Sequence, residues 1–236
     1  MMPIGDDNTG RTLTPYVNYL LIALNIFVFV YYQRFGTNID FLLRFSTVPG
    51  EILTGQDIAG PNDLEVTPVP VYATILTSMF MHGSIAHIFG NMLYLSIFGD
   101  NIENAMGHFR YLVFYLLCGV LASCSHVLMS FILDDGLLVP SLGASGAISG
   151  VLGGYLVMFP RNKVRIWALL FSFNVPAVIT LGIWIVMQIV SQVNTIGGRE
   201  QSGVAYAAHI GGFLAGMLLV RFFANKRPTA VNRYPF

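Results

Sequence analysis

The 236-residue sequence predicts an all-α membrane protein: a bundle of six transmembrane helices with both termini in the cytoplasm. Three observations carry this. Hydrophobic residues make up 55% of the chain and charged residues 10%, against about 25% charged in soluble domains, so lipid must cover part of the surface. Six apolar stretches recur, each near the ~20 residues that cross a hydrocarbon core. The basic residues also divide unevenly between the two sides that such crossings define.

A polar segment, residues 1–15 (MMPIGDDNTGRTLTP), comes first and reads as cytoplasmic. The apolar stretches run over residues 16–32, 85–102, 111–133, 142–159, 166–190 and 204–223. Backbone groups in lipid must pair within their own segment, which makes each stretch a helix. Residues 34–73 form a long outer loop, with Pro49, Pro61, Pro68 and Pro70 among Asp40, Glu51, Asp57, Asp63 and Glu65; residues 224–236 form a cytoplasmic tail. The whole reads as one domain without repeats. An even number of crossings puts both termini on one side. On that side fall Arg11, Arg110, Arg161, Lys163, Arg165, Arg221, Lys226, Arg227 and Arg233, against Arg34, Arg44 and Arg199 on the other, a bias that marks the first side as the inner one.

The polar leader has a single arginine, and no small-residue cleavage site follows the first apolar run, which argues against a removed signal peptide or a transit peptide. A multi-pass protein of a prokaryotic cell membrane is expected. Net charge is zero with no basic run, so nucleic acid is not an expected partner. Cys118 and Cys124 lie six residues apart, about 9 Å along a helix, too far to bridge, and read as core thiols.

Depth supplies the first mechanistic clue. The fourth stretch ends at Phe159-Pro160-Arg161, and Ser145 lies fourteen residues earlier, about 21 Å from that inner boundary. The loop before it, residues 139–144, must therefore dip into the membrane, which is tolerated only beside protein or water. A water-filled pocket opening outward follows. By the same rise His209 sits about 18–25 Å above Arg221 and Lys226, and Asn91 about 20–24 Å above the inner end of its helix, with His87 one turn higher. Ser145, His209, Asn91 and His87 thus share one layer on three helices, and polar side chains at that depth default to a functional site.

A serine hydroxyl becomes a nucleophile when a base removes its proton, and a neutral imidazole suits that role. Asp100 and Glu103 lie nearer the inner end, so the expectation is a Ser145–His209 dyad without an acidic third member. An oxyanion needs donors. The free amides where Ser145 opens its helix, with Asn91 and His87 one turn apart, could supply them. Gly146, Gly150 and Gly154 recur every fourth residue, as do Ala208, Gly212 and Gly216; such small-residue faces let two helices approach closely. The soluble hydrolase elbow G-x-S-x-G does not fit, because Ala147 stands at its last position.

HGSIAHIFGN (His82, His87, Asn91), GASG around Ser145 and AAHIGG around His209, in that order, resemble the rhomboid family of intramembrane serine proteases over Leu76 to Phe223. The resemblance implies a rhomboid-like bundle, Ser145 as nucleophile and His209 as base. It implies an oxyanion hole from Asn91, His87, the Ser145 backbone and Gly143, with His82 and Ser149 lining the pocket. It implies no cofactor or metal, and transmembrane proteins in lipid as substrates, with Glu103 structural. Two features depart from the family pattern. The stretch before the second helix, VPVYATIL, lacks the Trp-Arg pair of many members, and Ser149 stands where some place an aromatic residue against the histidine.

Taken singly, a glycine-flanked serine reads as helix packing and an intramembrane histidine as a packing or relay group. His108 reads as a solvated surface residue and His126 as helix polarity; order and shared depth are what join the others. An inactive or weak relative that binds membrane-protein clients is the main alternative. A histidine-relay transporter would carry inverted repeats, which are not seen. A zinc helix needs H-E-x-x-H, whereas His82 and His87 are five apart without that glutamate. The outer loop, the fifth helix with Gly182, and the Asn194–Ser202 loop are candidates for gating and flexibility.

Overall fold

A computed structural model describes residues 2–60, 64–168, 170–196 and 204–224. The chain is mostly helical. α1 (Tyr16–Phe27) runs on as a π-helical turn, Val28–Tyr32. Two short helices follow, α2 (Ile39–Phe45) and α3 (Pro49–Thr54), then a broken helical segment around α4 (Thr74–Thr77). Five long helices complete the bundle: α5 (Ile85–Met106), α6 (His108–Leu133), α7 (Ser145–Met158), α8 (Ala177–Ile196) and α9 (Tyr206–Phe223). Of these α6, α8 and α9 have the length and apolarity to cross a membrane, while α1 and α7 are shorter apolar helices. α6 and α8 expose bands of large apolar side chains, among them Leu128, Phe131, Ile183, Val186 and Val190. Surfaces of that kind call for lipid rather than water.

Two expectations need correction. The fold is not purely α: β1 (Met2–Asp6), β2 (Lys163–Ala168) and β3 (Phe171–Pro176) form an antiparallel sheet in the order β1-β2-β3. The fifth apolar stretch therefore becomes helical only at Ala177. The physical reason lies in KVRIWA, whose Val164 and Ile166 are buried while Lys163 and Arg165 are exposed, the period-2 pattern of a half-buried strand. Pro176 lacks the amide a helix interior needs and marks the switch. The outer loop is also more ordered than a loop. Asn38 caps α2 by accepting from Phe41 N, α3 opens on Pro49 and ends on the left-handed Gly55, and both follow ordinary start and stop chemistry. Pro61 and Asp63 of that segment, the Asn194–Ser202 loop beyond Ile196, and the tail beyond Ala224 lie outside the described residues.

α7 is the axis of the bundle, buried without a break from Gly146 to Tyr155. Against α9 the contact is backbone on backbone: a Cβ on Gly212 would overlap the Gly146 carbonyl, and one on Gly216 the Gly150 carbonyl. The small-residue faces thus set the separation of the two helices. Of the cysteines, Cys118 is buried as expected but Cys124 is exposed.

Polar groups lock one end of the bundle. Glu103, fully buried, accepts from Val17 N (3.0 Å) and Asn18 N (2.7 Å) and so caps α1; His108 bonds to the same carboxylate at 2.5 Å instead of standing free at the surface. Asp6 of β1 accepts from Asn101 (2.7 Å) and Tyr155 (2.6 Å), and Arg11 pairs with Asp100. Burial pushes the Asp6 carboxyl up to about 7, above its ordinary value of 3.8.

Candidate active site

At the other end of the bundle a partly open cavity of about 1220 Å³ lies between α5, α6, α7, α8 and α9. Its floor forms where residues 141–144 run into α7. Thr47 and Ser141 exchange backbone hydrogen bonds (3.0 and 2.8 Å), tying this run to the α2–α3 segment. Gly143 then donates its N–H to the Ser78 carbonyl (2.9 Å). Its φ of +129° is open to glycine, and a Cβ there would lie 3.0 Å from the His87 ring. This corrects one expectation: the Gly143 amide is occupied by Ser78 and does not face an oxyanion. A side chain at residue 143 would crowd the His87 ring and Ser145 Oγ, and glycine leaves room for both.

Ser145 is the first residue of α7. The first helical bond there runs from Ile148 N to Ala144 O (2.9 Å), so the amides of residues 145–147 have no acceptor within the helix. Ser145 Oγ lies 2.8 Å from His209 Nε2. His209 sits in the first turn of α9, and the close α7–α9 packing brings the two side chains together. On its far side, His209 Nδ1 meets Gln188 Oε1 of α8 at 2.7 Å. Trp184 of α8 lies against the imidazole, ring centroids 6.1 Å apart and tilted by 33°, and Tyr206 meets it edge-on at 6.4 Å.

The remaining residues divide. Asn91 lines the cavity, and its buried Nδ2 lacks a hydrogen-bond partner among the described residues. His87 also lines it; its Nδ1 accepts from Gly83 N at 3.4 Å, which leaves the proton on Nε2, the nitrogen beside Gly143. Ser149 is on the wall, but its hydroxyl donates to the Ser145 carbonyl (2.6 Å). His82 does not line the cavity. It is fully buried behind His87, ring centroids 5.1 Å apart, with neither ring nitrogen hydrogen-bonded among the described residues. Its backbone is clamped by Gln33, which accepts from His82 N and donates to His82 O, both at 2.9 Å. His126 of α6, read as helix polarity, stands on the cavity wall.

Gln188, Trp184 and Gln33 escaped the sequence reading. For Gln188 a signal existed: Gln188 and Gln192 are one turn apart in an otherwise apolar run, and amides at membrane depth face partners rather than lipid.

Comparison with known proteins points the same way. The Rhomboid domain matches residues 70–226. "Rhomboid protein 1, mitochondrial" of Saccharomyces cerevisiae is 33% identical over 146 residues, 61% of this chain and 40% of its own. "Rhomboid protease GluP" of Bacillus subtilis is 28% identical over 204 residues, 86% of this chain and 34% of its own. "RHOMBOID-like protein 4" of Arabidopsis thaliana is 30% identical over 188 residues, 76% and 43% of the two chains. The chain spans less than half the length of each. With the domain match extending from the segment before α5 to the end of α9, across all the cavity-forming helices, the chain belongs to the rhomboid family.

Proposed function

We propose that this membrane protein is an intramembrane serine endopeptidase that hydrolyses peptide bonds of transmembrane protein substrates. One observation carries the reading: the 2.8 Å contact between Ser145 Oγ and His209 Nε2 at the wall of a cavity. In this reading Ser145 Oγ attacks the scissile carbonyl while His209 Nε2 takes its proton. The oxyanion faces Asn91 Nδ2, His87 Nε2 and the free amide of Ser145. The C–N bond then breaks, the imidazolium protonates the leaving amine, and water, deprotonated by His209, releases the acyl group. No step calls on a cofactor. Ser149 and Gly143 shape the site without touching the reacting atoms, and His82 supports His87 from behind.

The substrate helix reaches the cavity from lipid and unwinds there. Both termini face the cytoplasm, consistent with Arg11, Arg110, Arg161, Lys163, Arg165 and Arg221 lying at the end of the bundle opposite the cavity. Some relatives carry mitochondrial names; the cell membrane is the location proposed for this chain, on its sequence.

The test is cleavage of a reconstituted transmembrane substrate by wild type, Ser145→Ala and His209→Ala. Wild type is expected to cut and both variants to fail; cutting that survives in either variant rejects the dyad. A wild type that retains a client but neither cuts it nor reacts with a fluorophosphonate is the outcome expected of a non-catalytic relative.

A further inference from the structure

The protease reading accounts for one nitrogen of His209 and leaves the other unexplained. Resting on that reading, we propose that Gln188 is the positioning residue of the site: its side-chain carbonyl holds the His209 proton on Nδ1, so that Nε2 is free to take the proton of Ser145.

The geometry is that of a relay with an amide at its far end. Oε1 of Gln188 lies 2.7 Å from Nδ1, and Oγ of Ser145 lies 2.8 Å from Nε2. A carbonyl oxygen can only accept. With Oε1 facing Nδ1, the ring must donate there, and the neutral ring then has a lone pair at Nε2 directed at the serine. The opposite tautomer would put a proton between Nε2 and Oγ and would require the Gln188 amide to turn its NH2, in place of Oε1, toward Nδ1. Tautomer choice by the hydrogen bond on the distal nitrogen is a general property of functional imidazoles.

Three further observations fit a positioning role. Ser149 is buried and engaged with the Ser145 carbonyl, so the residue one turn into α7 contributes no ring to orient the imidazole. Trp184, one turn before Gln188, lies against the same ring, so α8 meets it with an aromatic surface and an acceptor together. The other titratable side chains on the cavity wall are Tyr94 and His87 of α5, His126 of α6, Asp135 after α6 and Tyr206 of α9, and among the described residues none of them is hydrogen-bonded to Nδ1. Gln188 touches no reacting atom; it acts through His209.

The experiment compares wild type, Gln188→Leu and Gln188→Glu in the reconstituted cleavage assay, with Ser145→Ala as blank. Gln188→Leu keeps the size and removes the acceptor. Its kcat is expected to fall about 10–100-fold, by analogy with loss of the hydrogen-bond partner that orients a metal-bound imidazole, with KM within about twofold because no substrate contact is lost. Gln188→Glu restores the acceptor and is expected to recover most of that loss. It also moves the acid limb of the kcat–pH profile upward, because a carboxylate favours the imidazolium. A structural defect would move neither the profile nor the rescue. A Gln188→Leu kcat within twofold of wild type, or Leu and Glu variants equally impaired at every pH, overturns the proposal. A second arm needs no turnover: ¹⁵N-histidine NMR, with His209 assigned by its loss in His209→Gln, is expected to show the Nδ1–H form in wild type and a mixture in Gln188→Leu. Identical tautomers in the two also overturn it. Wild-type cutting that persists in Ser145→Ala would sink the protease reading alone, and the NMR arm then decides Gln188.

Discussion

Replacing Asn91 by alanine is expected to cut turnover sharply while leaving the fold as stable as before, or more so. The residue is 9% exposed and its Nδ2 has no hydrogen-bond partner among the described residues. A buried donor left unsatisfied costs about 1–3 kcal/mol, so removing it relieves the fold of a penalty. Against this stands the packing of three side-chain atoms at a wall that already borders open space, where the cavity term is small. The two nearly cancel, and the net change in stability should fall within about 1 kcal/mol of zero. The effect on rate has no such compensation. Loss of one donor to a developing oxyanion costs about 10²–10³ in kcat, or roughly 2.7–4 kcal/mol. The measurement is kcat and KM on a reconstituted substrate beside the thermal midpoint of the same preparation. A variant that unfolds several degrees earlier yet turns over normally would mean that Asn91 is an architectural amide, and the oxyanion assignment would fall with it.

Gly143→Ala should lose both activity and stability. Its φ of +129° is strained for any side chain, at about 1–3 kcal/mol, and its Cβ would sit 3.0 Å from the His87 ring; an unchanged kcat/KM would refute the close fit of the loop. Gly182→Ala in α8 meets nothing within 4 Å and should stabilise that helix by up to about 1 kcal/mol, read as a higher thermal midpoint; a lower midpoint would mean that α8 needs a flexible point there. Asp6 keeps its proton to about 7 in the fold because it is buried, against 3.8 in the unfolded chain. Its contribution is therefore complete below about pH 4 and is lost as pH rises through 7, a slope worth on the order of a few kcal/mol. Asp6→Asn should flatten the pH dependence of the thermal midpoint between about pH 4 and 7; equal slopes in the two proteins would argue against it.

Much of this fold is legible because it rests on one-dimensional signals. α6 and α9 begin within three residues of where apolarity places them, and the glycine spacing on α7 and α9 reads directly as close approach. The sheet was hidden because β2 and β3 are themselves apolar and adjoin α8, so composition merges them with the helix; only the alternation of Val164 and Ile166 with Lys163 and Arg165 separates them. Depth along a helix placed Ser145, His209, Asn91 and His87 in one layer but could not give their rotation. Rotation is what puts His82 behind His87, turns the Gly143 amide to Ser78, and brings His126 to the cavity wall. Gln188 is a case of the same kind. Its polarity is visible in the chain, whereas its meeting with Nδ1 depends on how α8 lies against α9.

An amide at the far nitrogen of His209 has a physical logic in this setting. In water-facing serine proteases a carboxylate there both fixes the tautomer and stabilises the imidazolium. Inside a bundle wrapped by lipid, a carboxylate must be desolvated, at several kcal/mol, and is repaid only when the imidazole is charged. On the proposed mechanism the resting imidazole must be neutral to act as a base, so the charge would go uncompensated for most of the cycle. A glutamine keeps the orienting hydrogen bond and forgoes the charge. The consequence is a trade: correct alignment at little folding cost, with less stabilisation of the protonated intermediate. Gln188→Glu should reverse that trade. It should recover tautomer control and hold the imidazolium more firmly, while lowering the thermal midpoint at neutral pH relative to wild type. A glutamate variant as stable as wild type at pH 8 would show that water reaches this nitrogen freely, and the desolvation argument for an amide would no longer hold.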